Sequence, residues 1–383
     1  MDILGNKIHQ ARIMRGMSIT DLADNLGVSK QSIFQYENKI SKPSKEIIFK
    51  LSSILKFPIS FFTTPYEFNL ERTNTFFRAQ LSASQIEKMS LAQRAIIVAY
   101  FYNFLQKYLE LPTQNILEIN EESLDRKNYD DIAMKVRTYW GLNDKPILNM
   151  VNILEENGIV ITTIKVPDKK IDAFTQTHDK EVPYCVMLED TKHSMARRNF
   201  TLAHELGHMI LHSNLSFNEL EKERRVELEK EADCFAAAFL IPKNTFIQDI
   251  QDPTNLDSYI KLKRKWHVSI FAMIMRAKAL ELINEKNYIS LIKKYSYRGY
   301  RTNEPLDNEI SIKKPVLFEQ SLSLLFDNNI ITMDSLLNEM AKCGLALNVD
   351  DICSFFALNS DFFEPYANKK MNISIKSVNF ENS

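Results

Sequence analysis

Three of the chain's seven histidines fall at four-residue intervals in one stretch, RRNFTLAHELGHMILH, residues 197–212. His204 and His208 are one helical turn apart, a rise of about 6 Å, so both imidazoles can reach one metal ion. Glu205 lies about 100° around the helix from His204. That offset aims its carboxylate at a water beside the ion instead of at the ion. The pattern is His-Glu-x-x-His, a divalent-metal site with its own general base. Phe200, Leu202, Ala203, Leu206, Met209, Ile210 and Leu211 surround the pair, so the helix is expected to be buried on most sides. Buried imidazoles and carboxylates need partners, which weakens the alternative of a solvated helix with scattered histidines. His212 stands about 12 Å from His204 along the axis, too far for one ion to bind both. It is expected at the pocket edge or behind a ligand. The longer pattern H-E-x-x-H-x-x-G-x-x-H is absent.

A third ligand should come from the acid-rich helix ELEKERRVELEKEADCFAAAFLIP, residues 219–242. Its apolar stripe runs through Leu228, Ala232, Phe235, Ala236 and Phe239. At 100° per residue, Glu231 projects about 40° from Phe235 and is the expected ligand. Glu221, Glu223, Glu227 and Glu229 read as a solvated face, with Glu229 and Asp233 turned away from the stripe. Cys234 reads as a small buried residue. Two histidines and one carboxylate leave zinc an open position, the mark of a catalytic site. The implied reaction is peptide hydrolysis, with Glu205 taking a proton from water and delivering it to the leaving amine. His178, Tyr184, His193 and Arg197 are candidate oxyanion donors. Gly207 inside the helix costs about 1 kcal/mol relative to alanine, which predicts close approach of a neighbour such as the helix carrying Glu231.

The elements that must position these residues divide the chain into four parts. A length of 383 residues with 45% hydrophobic and 25% charged side chains suits two or three globular domains. Eight glycines point to a mainly α protein with one α+β part. The four cysteines form no C-x-x-C pair and the first residues do not read as a leader, so reduced thiols and a cytoplasmic location are expected. The run AIIVAYFYNFL, residues 95–105, is too short for a bilayer, and no membrane partner is expected.

Residues 1–65 carry nine Lys/Arg against five Asp/Glu over the first sixty and read as short helices. SITDLADNLG and VSKQSIFQYEN, joined by a glycine turn, make a helix-turn-helix. With Ile33 and Tyr36 facing inward, Lys30, Gln31, Ser32 and Gln35 face out as candidate DNA contacts. Gln31 and Gln35 can pair with adenine, and Lys30 with guanine or a phosphate. Lys39, Lys42 and Lys45 suit the DNA backbone. Use of the same unit for protein contact is the alternative. Residues 66–120 read as a connector with TNTFFRAQ and a long amphipathic helix over roughly 84–110. Residues 121–290 hold the β-rich runs GIVITTIKV, IDAFTQTH and YCVMLED, then helices from about 194. Residues 291–383 read as a helical region with no assigned role.

FTLAHELGHMILH followed by EKEADCFAAAFLIP resembles the ImmA/IrrE family of zinc metallopeptidases, and the N-terminal segment resembles the Cro/C1 (XRE) helix-turn-helix class. The order of these parts, with FFRAQ between them and RGYRTNEP after them, resembles a known fusion across nearly the whole chain. AFLIP departs conservatively from a leucine-rich version. The resemblance implies a zincin-like α+β peptidase domain, zinc on His204, His208 and Glu231, and Glu205 as catalytic base. It also implies double-stranded operator DNA as a partner, read in the major groove by the start of the recognition helix. The implied substrate is an XRE-type repressor, cut to release stress, mobile-element or phage-related genes, with a homodimer as a candidate assembly. Two other functions stay open. One is a DNA-binding regulator whose peptidase fold serves as a sensor, which predicts damaged site residues where all four are intact. The other is an antitoxin-like interaction module.

Overall fold

The structure is a computed structural model that describes residues 2–67, 75–79, 84–119, 128–164, 171–176, 184–189, 194–213, 215 and 220–367. It opens with α1 (Gly5–Met14), α2 (Ile19–Leu26), α3 (Lys30–Glu37), α4 (Lys45–Leu55) and α5 (Ile59–Thr63). Ser18, Ser29 and Ser44 cap α2, α3 and α4, each accepting a backbone N–H from the first turn. The apolar positions Ile8, Ala11, Leu22, Ala23, Ile33, Leu51 and Leu55 close into one core.

Strand β1 (Thr75–Ala79) and helix α6 (Gln85–Leu105) follow. Ser84 and Glu87 form a reciprocal capping box at the start of α6. The amphipathic helix expected over 84–110 ends at Leu105 and is buried on nearly every side from Ser90 onward. The reason is its place: α6 packs on α1 and also on the sheet.

Next come α7 (Tyr129–Tyr139), α8 (Met150–Glu156), β2 (Val160–Ile164), β3 (Ile171–Gln176) and β4 (Cys185–Glu189). The sheet has the order β1-β3-β4-β2; β2 runs parallel to β4 and the other pairs are antiparallel. Side chains alternate along the strands. Ile161, Val186 and Leu188 enter one core, while Val160, Ile164, Cys185 and Met187 enter the other. Burial on both faces explains why β2 and β4 read as continuous apolar runs.

Helices α9 (Met195–Leu211), α10 (Lys222–Leu240), α11 (Lys243–Asp249), α12 (Leu256–Trp266), α13 (Ile270–Ala279) and α14 (Glu285–Tyr297) build the first core beneath the sheet. Helices α15 (Leu317–Asp327), α16 (Met333–Lys342) and α17 (Val349–Phe355) belong to the second, which they share with α6 and the N-terminal helices. The fold is mainly α with an α+β part, as expected.

The C-terminal region, unassigned from sequence, fastens the N-terminal helices to the sheet. Phe356 stacks on Phe101 at 3.8 Å between ring centroids. Arg15 pairs with Asp351 at 2.6 Å, and Thr162 donates to the Phe355 carbonyl at 2.5 Å. Lys7, fully buried, donates to the Gly344 carbonyl at 2.8 Å, and burial pushes its ammonium down to about 6. Gly344 has φ +82°, and a Cβ there would strike the Pro65 backbone. Glu155, at the end of α8, accepts backbone N–H bonds from Val316 and Leu317 at 3.1 Å. Burial pushes its carboxyl up to about 7 against those bonds.

Candidate metal centre

Ser194 caps α9 and accepts from the Arg197 N–H. Of its 17 residues, 14 are buried, so each polar side chain on this helix must find a protein partner or a ligand. Gly207 permits the contact that supplies them. A Cβ at this position would lie 3.1 Å from Ala232 Cα and 3.2 Å from Ala232 O, tighter than most Cβ contacts, so α10 would have to give way. The close neighbour expected from Gly207 is therefore α10.

The imidazoles converge. His204 Nε2 and His208 Nε2 are 3.0 Å apart. Glu229 reaches both, with Oε2 3.2 Å from His204 Nε2 and Oε1 3.4 Å from His208 Nε2. One ligand atom from each of the three side chains lies within 4.8 Å of the others. Behind the pair, His204 Nδ1 meets Asp233 Oδ1 at 2.7 Å, and His208 Nδ1 meets His212 Nδ1 at 2.9 Å. His212 Nε2 in turn meets Glu231 Oε2 at 3.0 Å, and Arg224 donates to Glu231 Oε1 at 3.1 Å.

The carboxylate on the pair is Glu229, where Glu231 was expected, and Glu231 stands behind His212. The error came from referring the projection to Phe235, one side of a broad stripe. Referred to Ala236, which is equally buried, Glu229 lies about 20° away. Glu229 and Asp233 are themselves one turn apart, matching the spacing of His204 and His208. Glu227 and Glu231 share that spacing too, so the sequence held no signal that singled out Glu229. His212 takes the place expected for it, behind a histidine of the pair.

Two nitrogens bound tetrahedrally at about 2.0–2.1 Å from zinc would lie roughly 3.3 Å apart. The observed spacing is close to this. With both Nδ1 atoms engaged elsewhere, the Nε2 atoms and the Glu229 carboxylate turn toward one point, a donor set that suits a divalent cation. Burial raises the Glu229 carboxyl, but the bonds from His204 and His208 prevail and hold it well below the carboxylate range. His212 is pushed down to about 4, first by burial and then by its neighbour His208, against the bond to Glu231.

Glu205 is fully buried, and its Oε2 accepts from Thr175 Oγ1 on β3. No local pattern marks Thr175 in the sequence, because it reaches Glu205 only through the packing of β3 on α9. A cleft of ≈1220 Å³ opens on the Asp233 side, lined in part by Arg197, Phe200, Cys234, Phe271 and Tyr300. It meets the imidazole pair through Asp233 and does not enclose it. Cys234, expected buried, is exposed in this cleft. Arg197 therefore stands in the cleft, and Tyr184 packs against the first core. His178 and His193 lie outside the described residues.

On α3, Lys30 and Gln31 are exposed on the first turn. Ser32 is half-buried, with Oγ 2.9 Å from Ser29 Oγ, and half-buried Gln35 accepts from Ser41 Oγ at 3.4 Å. Ile33 is fully buried and Tyr36 half-buried. Lys42 pairs with Asp2 at 2.7 Å on the surface, and Phe34 is exposed.

Two family models match. Residues 154–278 match the peptidase M78 family, described as an IrrE N-terminal-like domain, and residues 8–62 match a helix-turn-helix family. The chain thus joins an XRE-type helix-turn-helix domain to an IrrE-like domain of the metallopeptidase type, the fusion the sequence resembles. No curated protein matches the chain. Among solved structures, a Mycobacterium tuberculosis transcriptional regulator is similar at 19% identity and a TM-score of 0.31, over 39% of this chain. The chain covers 55% of that regulator's length. Among the described residues, no helix is long and apolar enough to cross a membrane.

Proposed function

We propose that the chain is a zinc endopeptidase joined to a DNA-binding domain, with the metal on His204, His208 and Glu229 and with Glu205 as the base. The observation that carries this reading is the turning of two buried imidazoles and a carboxylate toward one point, with Asp233 and His212 fixing the far ring nitrogens. When bound, zinc supplies Lewis acidity toward water and the scissile carbonyl. The protein's own groups do the rest. Glu205 takes one proton from the attacking water and returns it to the departing amide nitrogen, so a C–N bond is exchanged for a carboxylic acid and an amine. Thr175 holds the carboxylate in place for both transfers.

The substrate we propose is a repressor of the XRE type, met in the cytoplasm on operator DNA. Lys30 and Gln31 face solvent at the start of α3, where a helix-turn-helix enters the major groove. Ser32 and Gln35 join them once their present partners are exchanged for bases. Packing of this domain on α6 uses α1 and leaves the first turn of α3 open. Zinc-loaded protein incubated with a candidate repressor, followed by mass spectrometry of the products, tests the reading. A single internal cut that disappears in Glu205→Gln supports it. An uncut repressor together with zinc-free protein would sink it.

A further inference from the structure

Reactive side chains also meet far from the metal centre, where the C-terminal region grips the N-terminal helices. Lys107 stands just past the end of α6, Cys343 caps the C-terminus of α16, and Glu67 follows the N-terminal helices. Lys107 donates to Cys343 Sγ at 3.3 Å and also to the Glu67 carboxylate. The Cys343 thiol donates to Glu67 as well, and that bond comes first among those holding the Glu67 carboxyl below its usual range. The backbone joins the same knot, with the Glu67 N–H donating to the Cys343 carbonyl at 3.3 Å. Segments distant in sequence thus bring an amine, a thiol and a carboxylate to one point.

The other cysteines have no such company. Cys185 and Cys353 are buried, and Cys234 stands among Asp233, Arg276 and Glu231. Among the described residues, no other cysteine is hydrogen-bonded to a lysine. Cys343 and Lys107 are both partly open to solvent, so a small oxidant reaches them. An amine and a thiol held in contact react as one molecule, where orientation replaces chance encounter.

We propose that Lys107 and Cys343 form a reversible redox-modification site, joined on exposure to hydrogen peroxide by an oxygen bridge between Nζ and Sγ. An inserted oxygen spans the observed gap with less movement than a direct N–S bond would need. A first peroxide oxidises the thiol to a sulfenic acid, its other oxygen leaving as water. Glu67 takes a proton from the Lys107 ammonium. The freed amine breaks the O–O bond of a second peroxide and becomes a hydroxylamine, again with release of water. The hydroxylamine oxygen then attacks the sulfenic sulfur, and the displaced hydroxyl leaves as water with the hydroxylamine's proton. Sulfur and nitrogen each lose two electrons, which the two peroxides accept. Four equivalents of a small thiol return those electrons, leaving two disulfides, water and the original amine and thiol.

The consequence is mechanical. The joined residues are 236 positions apart, so the bond closes a long loop and removes freedom from the unfolded chain. Gly344, the next residue, accepts from Lys7 and rests against the Pro65 backbone. Oxidation therefore locks the C-terminal region onto the N-terminal helices. This oxidant-sensing clamp rests on neither the peptidase nor the DNA reading.

The test treats the reduced full-length protein with hydrogen peroxide and follows it by intact and tryptic mass spectrometry. The expected product is a cross-linked peptide joining Lys107 to Cys343, heavier than its two parts by one oxygen less two hydrogens. Dithiothreitol should return both parts. The urea midpoint should rise on oxidation and fall back on reduction. Cys343→Ser and Lys107→Arg should each lose the cross-link and the midpoint shift. Lys107→Arg keeps a cation beside Glu67, so it reports on the amine and not on folding. The proposal is overturned if Cys343 stays a free thiol, ends only as sulfinic or sulfonic acid, or is joined to another residue. A cross-link without the added oxygen, one that survives in Lys107→Arg, or one that leaves the midpoint unmoved would overturn it too.

Discussion

Helices α9 and α3 both carry the residues on which a function rests, and they treat polar groups in opposite ways. α9 buries 14 of its 17 residues, and α3 buries only Ile33. On α9 each motif side chain already has a protein partner: Asp233 for His204, His212 for His208, Thr175 for Glu205. On α3 Lys30 and Gln31 face water, where the proposed DNA contact would replace it. A buried motif thus prescribes its surroundings, because unsatisfied polar groups are costly there. An exposed one prescribes little beyond itself. Substitutions on α9 should disturb chemistry or packing, whereas those at the exposed positions of α3 should disturb binding alone.

The largest expected effect is at Glu205. Glu205→Gln keeps a hydrogen-bonding side chain beside Thr175 and removes the base, so kcat/KM on a genuine substrate should fall about 10²–10⁴-fold. Zinc content, measured by mass spectrometry of the metal, should not change. A normal rate would remove Glu205 from the chemistry.

Packing comes next. Gly207→Leu forces a side chain against the backbone of Ala232 and should destabilise the fold by about 1–3 kcal/mol. Urea unfolding reads this directly, and an unchanged midpoint would mean that α10 does not rest on Gly207.

On the open helix, Gln31→Ala should lose about 1–3 kcal/mol of base discrimination while leaving stability within about 0.5 kcal/mol. Footprints against single-base operator variants, paired with urea melts of the same protein, separate the two quantities. Equal affinity for every variant before and after the substitution would erase the contrast between the helices. The domain shares its core with α6 and the C-terminal helices, so point substitutions test it more cleanly than deletion.

A pH-dependent effect belongs to Glu155, whose folded carboxyl is raised to about 7 from 4.5. The folded protein binds the extra proton between these values, so this group's stabilisation is full below about 4.5 and is lost as pH rises through about 7. Glu155→Gln keeps an acceptor for Val316 and Leu317 and should flatten that slope, by about 1–3 kcal/mol across the window. Parallel slopes for the two proteins would show that Glu155 ionises normally in the fold.

Much of this was legible in the sequence, for identifiable reasons. His204, His208 and Glu205 share one helix, where spacing alone fixes their relation. Gly207 announced its neighbour because glycine inside a helix needs a reason. The glycine turn joining SITDLADNLG to VSKQSIFQYEN marked the helix-turn-helix of the N-terminal domain. Contacts between elements were less legible. The choice between Glu229 and Glu231 turns on how α10 is rolled against α9, and a projection from one stripe residue does not fix that roll. Thr175 depends on the packing of β3 over α9. Ser32 and Gln35 looked free on a helical wheel, but Ser29 and Ser41 lie within reach of them. The clamp made by residues 317–363 depends on pairs more than 150 positions apart, such as Arg15 with Asp351 and Thr162 with Phe355. No local pattern encodes those.

The most direct test of the site is zinc affinity by chelator competition, comparing Glu229→Ala with Glu231→Ala. With Glu229 as a ligand, its alanine variant should lose most of the metal at concentrations where the parent holds about one zinc per chain. Glu231→Ala removes only a residue behind His212, and it should keep the stoichiometry with affinity weakened by about 10–100-fold at most. Zinc retained in Glu229→Ala and lost in Glu231→Ala would contradict the ligand set.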